Sequence, residues 1–311
     1  MRCTFKVSIV GVGKVGATAA YALLLDGAVT DLVLVGHDLK KASGERDDLE
    51  QSLPFLQHTN VIATDDYAQI AGSAVTIVTA GAAQEPGEDR LSLLKKNLAL
   101  FSEIIPKIQQ ANPQGLILVV TNPVDILTYH CYQVASFTQG QVFGSGTVLD
   151  TARFREELSQ IFGVNPQSIH AYILGEHGDS SFPFLSSANI GGQPLTSFPE
   201  YLEQHVHDAY NQAKNAAYSI IQSKGATYYA IATVILTIVK SIYADAKTVL
   251  PVSVPLKEYY EQSNVSLSVP CIVGANGVEK MLATPLSQEE TQQLAHSADV
   301  LRAAYQQSQK A

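Results

Sequence analysis

Phe5-Lys6-Val7-Ser8-Ile9-Val10-Gly11-Val12-Gly13-Lys14-Val15-Gly16-Ala17-Thr18-Ala19-Ala20, continued by Tyr21-Ala22-Leu23-Leu24-Leu25, reads as an apolar strand that breaks at two glycines and resumes as an Ala- and Leu-rich helix. Gly11, Gly13 and Gly16 fit the spacing G-x-G-x-x-G. In that spacing the first glycine allows a sharp turn, the second lets a pyrophosphate approach the backbone, and the third lets helix and strand pack closely. The free N–H groups and the dipole of the helix start supply an anion site without a cationic side chain. A dinucleotide is the implied ligand, and a purely structural glycine turn is the alternative.

The alternation continues through the first half of the chain. Short β-branched runs at 5–10, 31–35, 60–63, 75–79, 116–120 and 141–143 are separated by helical patterns, notably 14–26, 39–51 and 91–110. Nearly continuous apolar strands between helices predict a parallel sheet covered on both faces, doubly wound through right-handed crossovers. After about Asp150 the pattern changes. A helix over 151–162, a strand over 169–173 and a hairpin of 186–190 with 193–195 across Gly191-Gly192 are expected. A helical region over 200–244, broken near Gly225, and a polar-faced helix over 287–309 complete the second half. The expected class is α/β, with a Rossmann-type dinucleotide-binding domain over 1–145 and an α+β substrate domain over 146–311.

Composition narrows the partners. A chain of 311 residues is long enough for about two domains. Its 20 Lys and Arg against 29 Asp and Glu leave a net charge of −9 with no basic cluster, which argues against nucleic acid and anionic membrane. Cys3, Cys131 and Cys271 are odd in number and widely spaced, which suits a reducing compartment and offers no metal-type pair. No metal is therefore expected. The apolar stretch 230–239 ends at Lys240, well short of the roughly 20 residues needed to cross a bilayer. The opening residues carry no cleavage-site pattern, and a cytoplasmic protein is expected.

Chemistry concentrates in four segments. Gly175-Glu176-His177-Gly178-Asp179 places a histidine between glycines at the end of an apolar strand, where it can meet a ligand and exchange a proton near neutral pH. A loop histidine without a role is the alternative. Asp150 and Arg153, three apart on one helix face, can supply a carboxylate to hold the imidazole and a guanidinium to grip a substrate carboxylate, or simply pair with each other. Thr121-Asn122-Pro123-Val124-Asp125 closes another strand, where Asn122 can bind a carbonyl or cap the next helix. The loop from Thr79 to Arg90, rich in Gly, Pro and charge, reads as a flap that closes over substrate, or as a solvated loop.

Taken in this order and over almost the whole chain, these segments resemble the L-lactate/L-malate dehydrogenase family, its bacterial L-lactate members in particular. The resemblance implies that His177 is the catalytic acid/base, Asp150 its orienting partner, Arg153 the substrate-carboxylate clamp and Arg90 the mobile-loop arginine that polarises the carbonyl. It implies that Asn122 contacts nicotinamide and substrate, and that Thr227, in Lys224-Gly225-Ala226-Thr227-Tyr228-Tyr229, lines the pocket wall. Cofactor contacts are implied at Gly11, Gly13, Val15, Gly16, Gly36, Asp38, Tyr67, Gly81, Ala82 and Asn122. Gln84 stands where malate-specific members carry an arginine for the second carboxylate of oxaloacetate, so pyruvate and L-lactate are the expected pair. Arg155 and His170 match positions at which allosteric members bind fructose 1,6-bisphosphate across a subunit interface, and a homotetramer is implied.

One position departs from the family pattern. NAD-dependent members end the second strand with an aspartate that binds the adenosine ribose. Here Leu32-Val33-Leu34-Val35 runs into Gly36-His37-Asp38, so the aligned residue is Gly36. The expected cofactor is NAD, with NADP or dual use left open, since no carboxylate repels a 2′-phosphate and His37, Lys40 and Lys41 can attract one. Two rival readings follow: a dehydrogenase for malate or another L-2-hydroxy acid, and a non-catalytic dinucleotide-binding sensor.

Overall fold

A computed structural model describes residues 4–82 and 89–310 of the chain. Six parallel strands form its centre: β1 (Lys6–Val10), β2 (Asp31–Val35), β3 (Asn60–Thr64), β4 (Val75–Val78), β5 (Leu116–Val119) and β6 (Val142–Gly144). They lie in the order β6-β5-β4-β1-β2-β3, the doubly wound arrangement that the alternating pattern predicts. Strands β4 and β5 are buried at every position, as parallel strands covered on both faces must be. The crossovers run through α1 (Lys14–Asp26), α2 (Leu39–Ser52), α3 (Arg90–Ala111) and α4 (Val124–Val134). Because the winding reverses between β1 and β4, the glycine turn after β1 opens at the carboxyl edge of the sheet, where such folds collect ligands.

The second half contributes α5 (Val148–Phe162), β7 (Ile169–Leu174), β8 (Phe182–Ile190), β9 (Gln193–Pro194), α6 (Glu203–Lys224), α7 (Tyr229–Tyr243), β10 (Thr248–Pro255), β11 (Ser266–Gly274), β12 (Gly277–Met281) and α8 (Gln288–Gln309). Strands β7, β8 and β9 form a small antiparallel sheet. Its hairpin turns at Gly191 and Gly192, with φ of 60 and 84, the paired left-handed conformation of a tight two-residue turn. Gly225, with φ of 83, ends α6 and separates it from α7 where the sequence breaks. Helix α5 starts at Val148, three residues before the expected position, so Asp150 lies inside its first turn, where the helix dipole favours a carboxylate.

Strands β10, β11 and β12 escape the reading of the sequence. They add antiparallel to β6 and extend the central sheet to nine strands. The C-terminal half is thus more than a lobe beside the dinucleotide-binding unit, because it completes the same sheet. A second, smaller apolar cluster joins α5, β7 and α6 through Phe154, Leu158, Ile169, Ala171, Ala209 and Ala213. Among the described residues no helix is long and apolar enough to cross a membrane.

Candidate active site

Two segments 27 positions apart in sequence are drawn together by β11. The Thr147 amide donates to Ser268 Oγ at 3.1 Å, and the Gly175 amide donates to Ser268 O at 3.0 Å. Thr147 Oγ1 donates to Ile173 O at 2.5 Å, and the Ile173 amide donates to Thr151 Oγ1 at 2.9 Å, so the first turn of α5 is stapled to the end of β7. Gly175, with φ of 88, then turns the chain; a Cβ there would lie 2.6 Å from Ser297 Oγ. This stapling places His177 against Asp150.

His177 Nδ1 donates to Asp150 Oδ2 at 2.6 Å, and Asp150 Oδ1 lies 3.5 Å from Arg153 Nη1. A carboxylate accepts only, so Nδ1 carries the proton and Nε2 is left for a ligand. Burial, the largest influence on His177, disfavours its charge. The charge and hydrogen bond of Asp150, with the charge of Asp125, outweigh burial and Arg153, and push the His177 pKa up to about 9. Asp150 is held below the ordinary carboxylate value: burial opposes this most strongly, but the His177 charge and hydrogen bond and the Arg153 charge prevail. A buried carboxylate without such partners would cost several kcal/mol. The three side chains line a cavity of about 180 Å³ whose opposite wall is α6, with Tyr210, Lys214, Tyr218 and Ile221.

Among the described residues this cavity is lined without Arg90, Asn122 or Thr227. The Arg90 side chain is 80% exposed and lies on Asp179, with Nη1 at 3.4 Å from Oδ2. Tyr218 OH donates to the other Asp179 oxygen at 3.2 Å, and Lys214 Nζ donates to the Asp179 carbonyl at 2.6 Å. Asn122 is exposed after β5, and Thr227 is half-buried between α6 and α7. Gln84 lies outside the described residues.

The glycine turn fits a dinucleotide. Gly11 has φ of 104, and a Cβ on it would lie 2.4 Å from the Ala80 nitrogen. A Cβ on Gly16 would lie 2.0 Å from Gly11 O, so that position packs helix on strand. A Cβ on Gly13 would meet nothing within 4 Å. Gly13 is exposed and caps α1 without a side chain, so the space before the helix start is open to an anion. Val15 is half-buried in the first turn of α1. The other edge residues are tied together: Thr79 Oγ1 donates to Gly11 O at 2.7 Å, and Thr121 Oγ1 donates to Ala80 O at 2.7 Å. A Cβ on Gly81 would lie 2.8 Å from Thr121 Cγ2, and the Ala82 amide donates to Asn97 Oδ1 at 2.7 Å.

Residues 5–144 match the NAD binding domain, and residues 147–311 the alpha/beta C-terminal domain, of lactate/malate dehydrogenase. This chain belongs to the lactate/malate dehydrogenase family. It is 47% identical over 304 residues to an L-lactate dehydrogenase of Thermoanaerobacterium saccharolyticum, covering 95% of this chain and 96% of that one. An L-lactate dehydrogenase of Clostridium botulinum is 42% identical over 306 residues, at 97% and 96% coverage. Among solved structures, a lactate dehydrogenase from a Medee basin deep-sea metagenome library superposes with a TM-score of 0.94 at 36% identity, covering 100% of both chains. The minor L-lactate dehydrogenase of Enterococcus mundtii, in a ligands-bound form, superposes with a TM-score of 0.94 at 36% identity and 98% coverage of both.

Several family positions take a particular form here. Gly36 is buried at the end of β2, and a Cβ on it would lie 3.1 Å from both Ala42 Cβ and Val12 Cγ2. Asp38 turns its carboxylate back to its own helix, where Oδ1 accepts the Lys41 amide at 3.1 Å as the cap of α2. Tyr67 is taken up by α3, with Lys107 Nζ 5.8 Å from its ring centroid. Arg155 Nε donates to Ala171 O at 2.8 Å, its guanidinium lying 4.8 Å from the Tyr172 ring centroid, while neighbouring His170 is exposed.

Two buried polar residues were not singled out from sequence. Asp125, in the first turn of α4, accepts the His177 amide on Oδ2 at 2.7 Å and Ser253 Oγ on Oδ1 at 2.6 Å. Burial pushes its pKa up to about 6 against the pull of those two donors. Asn97 joins Ala82 to the Asn122 carbonyl, to which its Nδ2 donates at 3.0 Å. Its sequence signal is a polar residue on the apolar stripe of Leu94, Leu98 and Phe101.

Proposed function

We propose that this protein is an L-lactate dehydrogenase that interconverts pyruvate and L-lactate with NAD. The observation that carries this reading is that the two oxygens of Asp150 reach His177 and Arg153 within one pocket. An acid/base and a carboxylate clamp thus stand side by side, in a volume of about 180 Å³ that suits a molecule as small as a three-carbon 2-oxo acid.

Residues 1–145 hold the dinucleotide, with its pyrophosphate at Gly13 and the start of α1, and residues 146–311 hold the substrate. When bound, the nicotinamide supplies the hydride for the carbonyl carbon, or accepts it in reverse. Arg153 grips the substrate carboxylate through two parallel hydrogen bonds. His177, as imidazolium, gives its Nε2 proton to the carbonyl oxygen, and as neutral imidazole takes it back from L-lactate. Asp150 fixes the tautomer and stabilises the imidazolium. Arg90 leaves Asp179 as the flap closes, excludes water and polarises the carbonyl, while Asn122 and Thr227 complete the pocket.

Gln84 offers no charge to a second carboxylate, which favours pyruvate over oxaloacetate. Comparing kcat/KM for the two substrates tests the assignment. A higher value for oxaloacetate overturns it, and Gln84→Arg is expected to move activity toward oxaloacetate. The relatives named above favour an enzyme over a dinucleotide sensor. With Gly36 in place of an acid and Asp38 engaged as a cap, NADP is accepted beside NAD. Arg155 and His170 bind fructose 1,6-bisphosphate between subunits of a cytoplasmic homotetramer. Activation of pyruvate reduction by that compound at low pyruvate is the expected result, and no activation removes the effector from the scheme.

A further inference from the structure

Between the second half of α4, the end of β10 and β12 lies a cavity of about 500 Å³, larger than the one at His177 and lined by none of its residues. The wall formed by α4 and the segment after it is aromatic, with Tyr129, Tyr132 and Phe137; the last two rings meet edge to face at 6.0 Å. Tyr132 OH already donates to Val142 O at 3.0 Å and accepts the Val142 amide at 3.2 Å, so its ring offers apolar surface rather than a free hydroxyl. Lys257 and Lys280 line the same cavity and are exposed. Neither makes an ion pair with any described residue, whereas the one acid that lines the cavity with them, Glu279, has its carboxylate held by Lys247.

In a chain of net charge −9, an aromatic wall flanked by two unpaired ammonium groups selects an anion with an apolar body. The volume lies within the roughly 300–1,000 Å³ of small-molecule sites. We infer that this cavity binds a small aromatic carboxylate or sulfonate, its acid group at Lys257 and Lys280 and its ring on the aromatic wall, and that occupancy is felt at His177. The connection is short. Tyr129 stands one helical turn after Asp125, and cavity-lining Val254 follows Ser253. Ser253 Oγ and the His177 amide hold the two oxygens of Asp125, so both walls adjoin the carboxylate that positions His177. The second half of the inference rests on His177 acting as acid/base, and the first does not.

Calorimetric titration of 2-naphthoate into the full chain saturated with NADH, which keeps the probe out of the dinucleotide site, tests the site. Saturable binding is expected, weakened about fivefold or more in Lys257→Gln/Lys280→Gln and abolished in Gln133→Trp, whose indole fills the cavity. No saturable binding, or equal binding in all three proteins, overturns the site. The coupling is read separately: 2-naphthoate is expected to change kcat/KM for pyruvate by about twofold or more in the unmodified enzyme and not in Gln133→Trp. The same response in both, or none in either, overturns the coupling.

Discussion

The His177 amide donates to Asp125 Oδ2 at 2.7 Å while its imidazole donates to Asp150 Oδ2 at 2.6 Å, so two carboxylates whose pKa values are shifted in opposite directions converge on one residue. Burial raises Asp125 to about 6, whereas His177 and Arg153 keep Asp150 below the ordinary carboxylate range against its own burial. Asp125 acts as a positioning residue on the backbone, and Asp150 acts on the ring.

Replacing Asp125 with Asn separates positioning from charge. The amide oxygen still accepts the His177 N–H, and the amide nitrogen can donate to Ser253 Oγ. Because the folded pKa of about 6 exceeds the ordinary 3.8, the native carboxyl binds a proton that the unfolded one has released, and its contribution to stability falls as pH rises from about 4 to 6. Asp125→Asn lacks that loss. Its Tm relative to the unmodified protein is expected to rise across this interval, and a difference independent of pH would contradict the assignment.

The three glycines of the turn separate by what an added methyl meets. Gly16→Ala places a Cβ 2.0 Å from Gly11 O and is expected to cost about 1–3 kcal/mol, visible as a lower Tm. Gly13→Ala meets no protein atom and is expected to leave Tm unchanged while raising the KM for NADH about tenfold. Equal effects of the two substitutions on Tm and on KM would remove the cradle reading.

The proposed use of NADP beside NAD rests on Gly36 and is tested at that position. Restoring a carboxylate with Gly36→Asp is expected to raise the ratio of kcat/KM for NADH over NADPH about tenfold. The new Cβ lies 3.1 Å from both Ala42 Cβ and Val12 Cγ2, and Ala42→Gly beside it relieves the first of these contacts. A ratio already large in the unmodified enzyme, and unmoved by Gly36→Asp, would place the discrimination elsewhere.

The sequence carried β1 through β6 and their crossovers because every parallel strand except the edge strand β3 is almost wholly buried and each helix start is marked by a glycine, a cap or a charge. It did not carry β10 to β12. Pro251, Pro255 and Pro270 interrupt those runs, and proline removes a ladder donor. The sheet accommodates them because Pro251 faces Pro270 in register and β10 meets β6 only at Ser253 with Gly144. At the site, His177, Asp150 and Arg153 were legible as residue types, but their meeting depends on Ser268 of β11, a strand the pattern conceals. Asp125 was hidden for a related reason: what holds it, Ser253 and the His177 backbone, comes from 128 and 52 positions away.

The pairing of His177 with Asp150 is tested most directly by the pH dependence of kcat/KM for pyruvate, measured with NADH on the unmodified enzyme and on Asp150→Asn. Reduction needs the imidazolium, whose pKa is raised from 6.5 to about 9, so activity is expected to hold through neutral pH and fall as pH rises through about 9. Oxidation of L-lactate is expected to rise through the same limb. In Asp150→Asn only the charge of Asp125 is left to oppose burial and Arg153, so the limb is expected to move down by more than one unit, with kcat/KM near pH 7 lower by about 10²–10⁴-fold. A limb that stays where it is in Asp150→Asn would contradict the pairing.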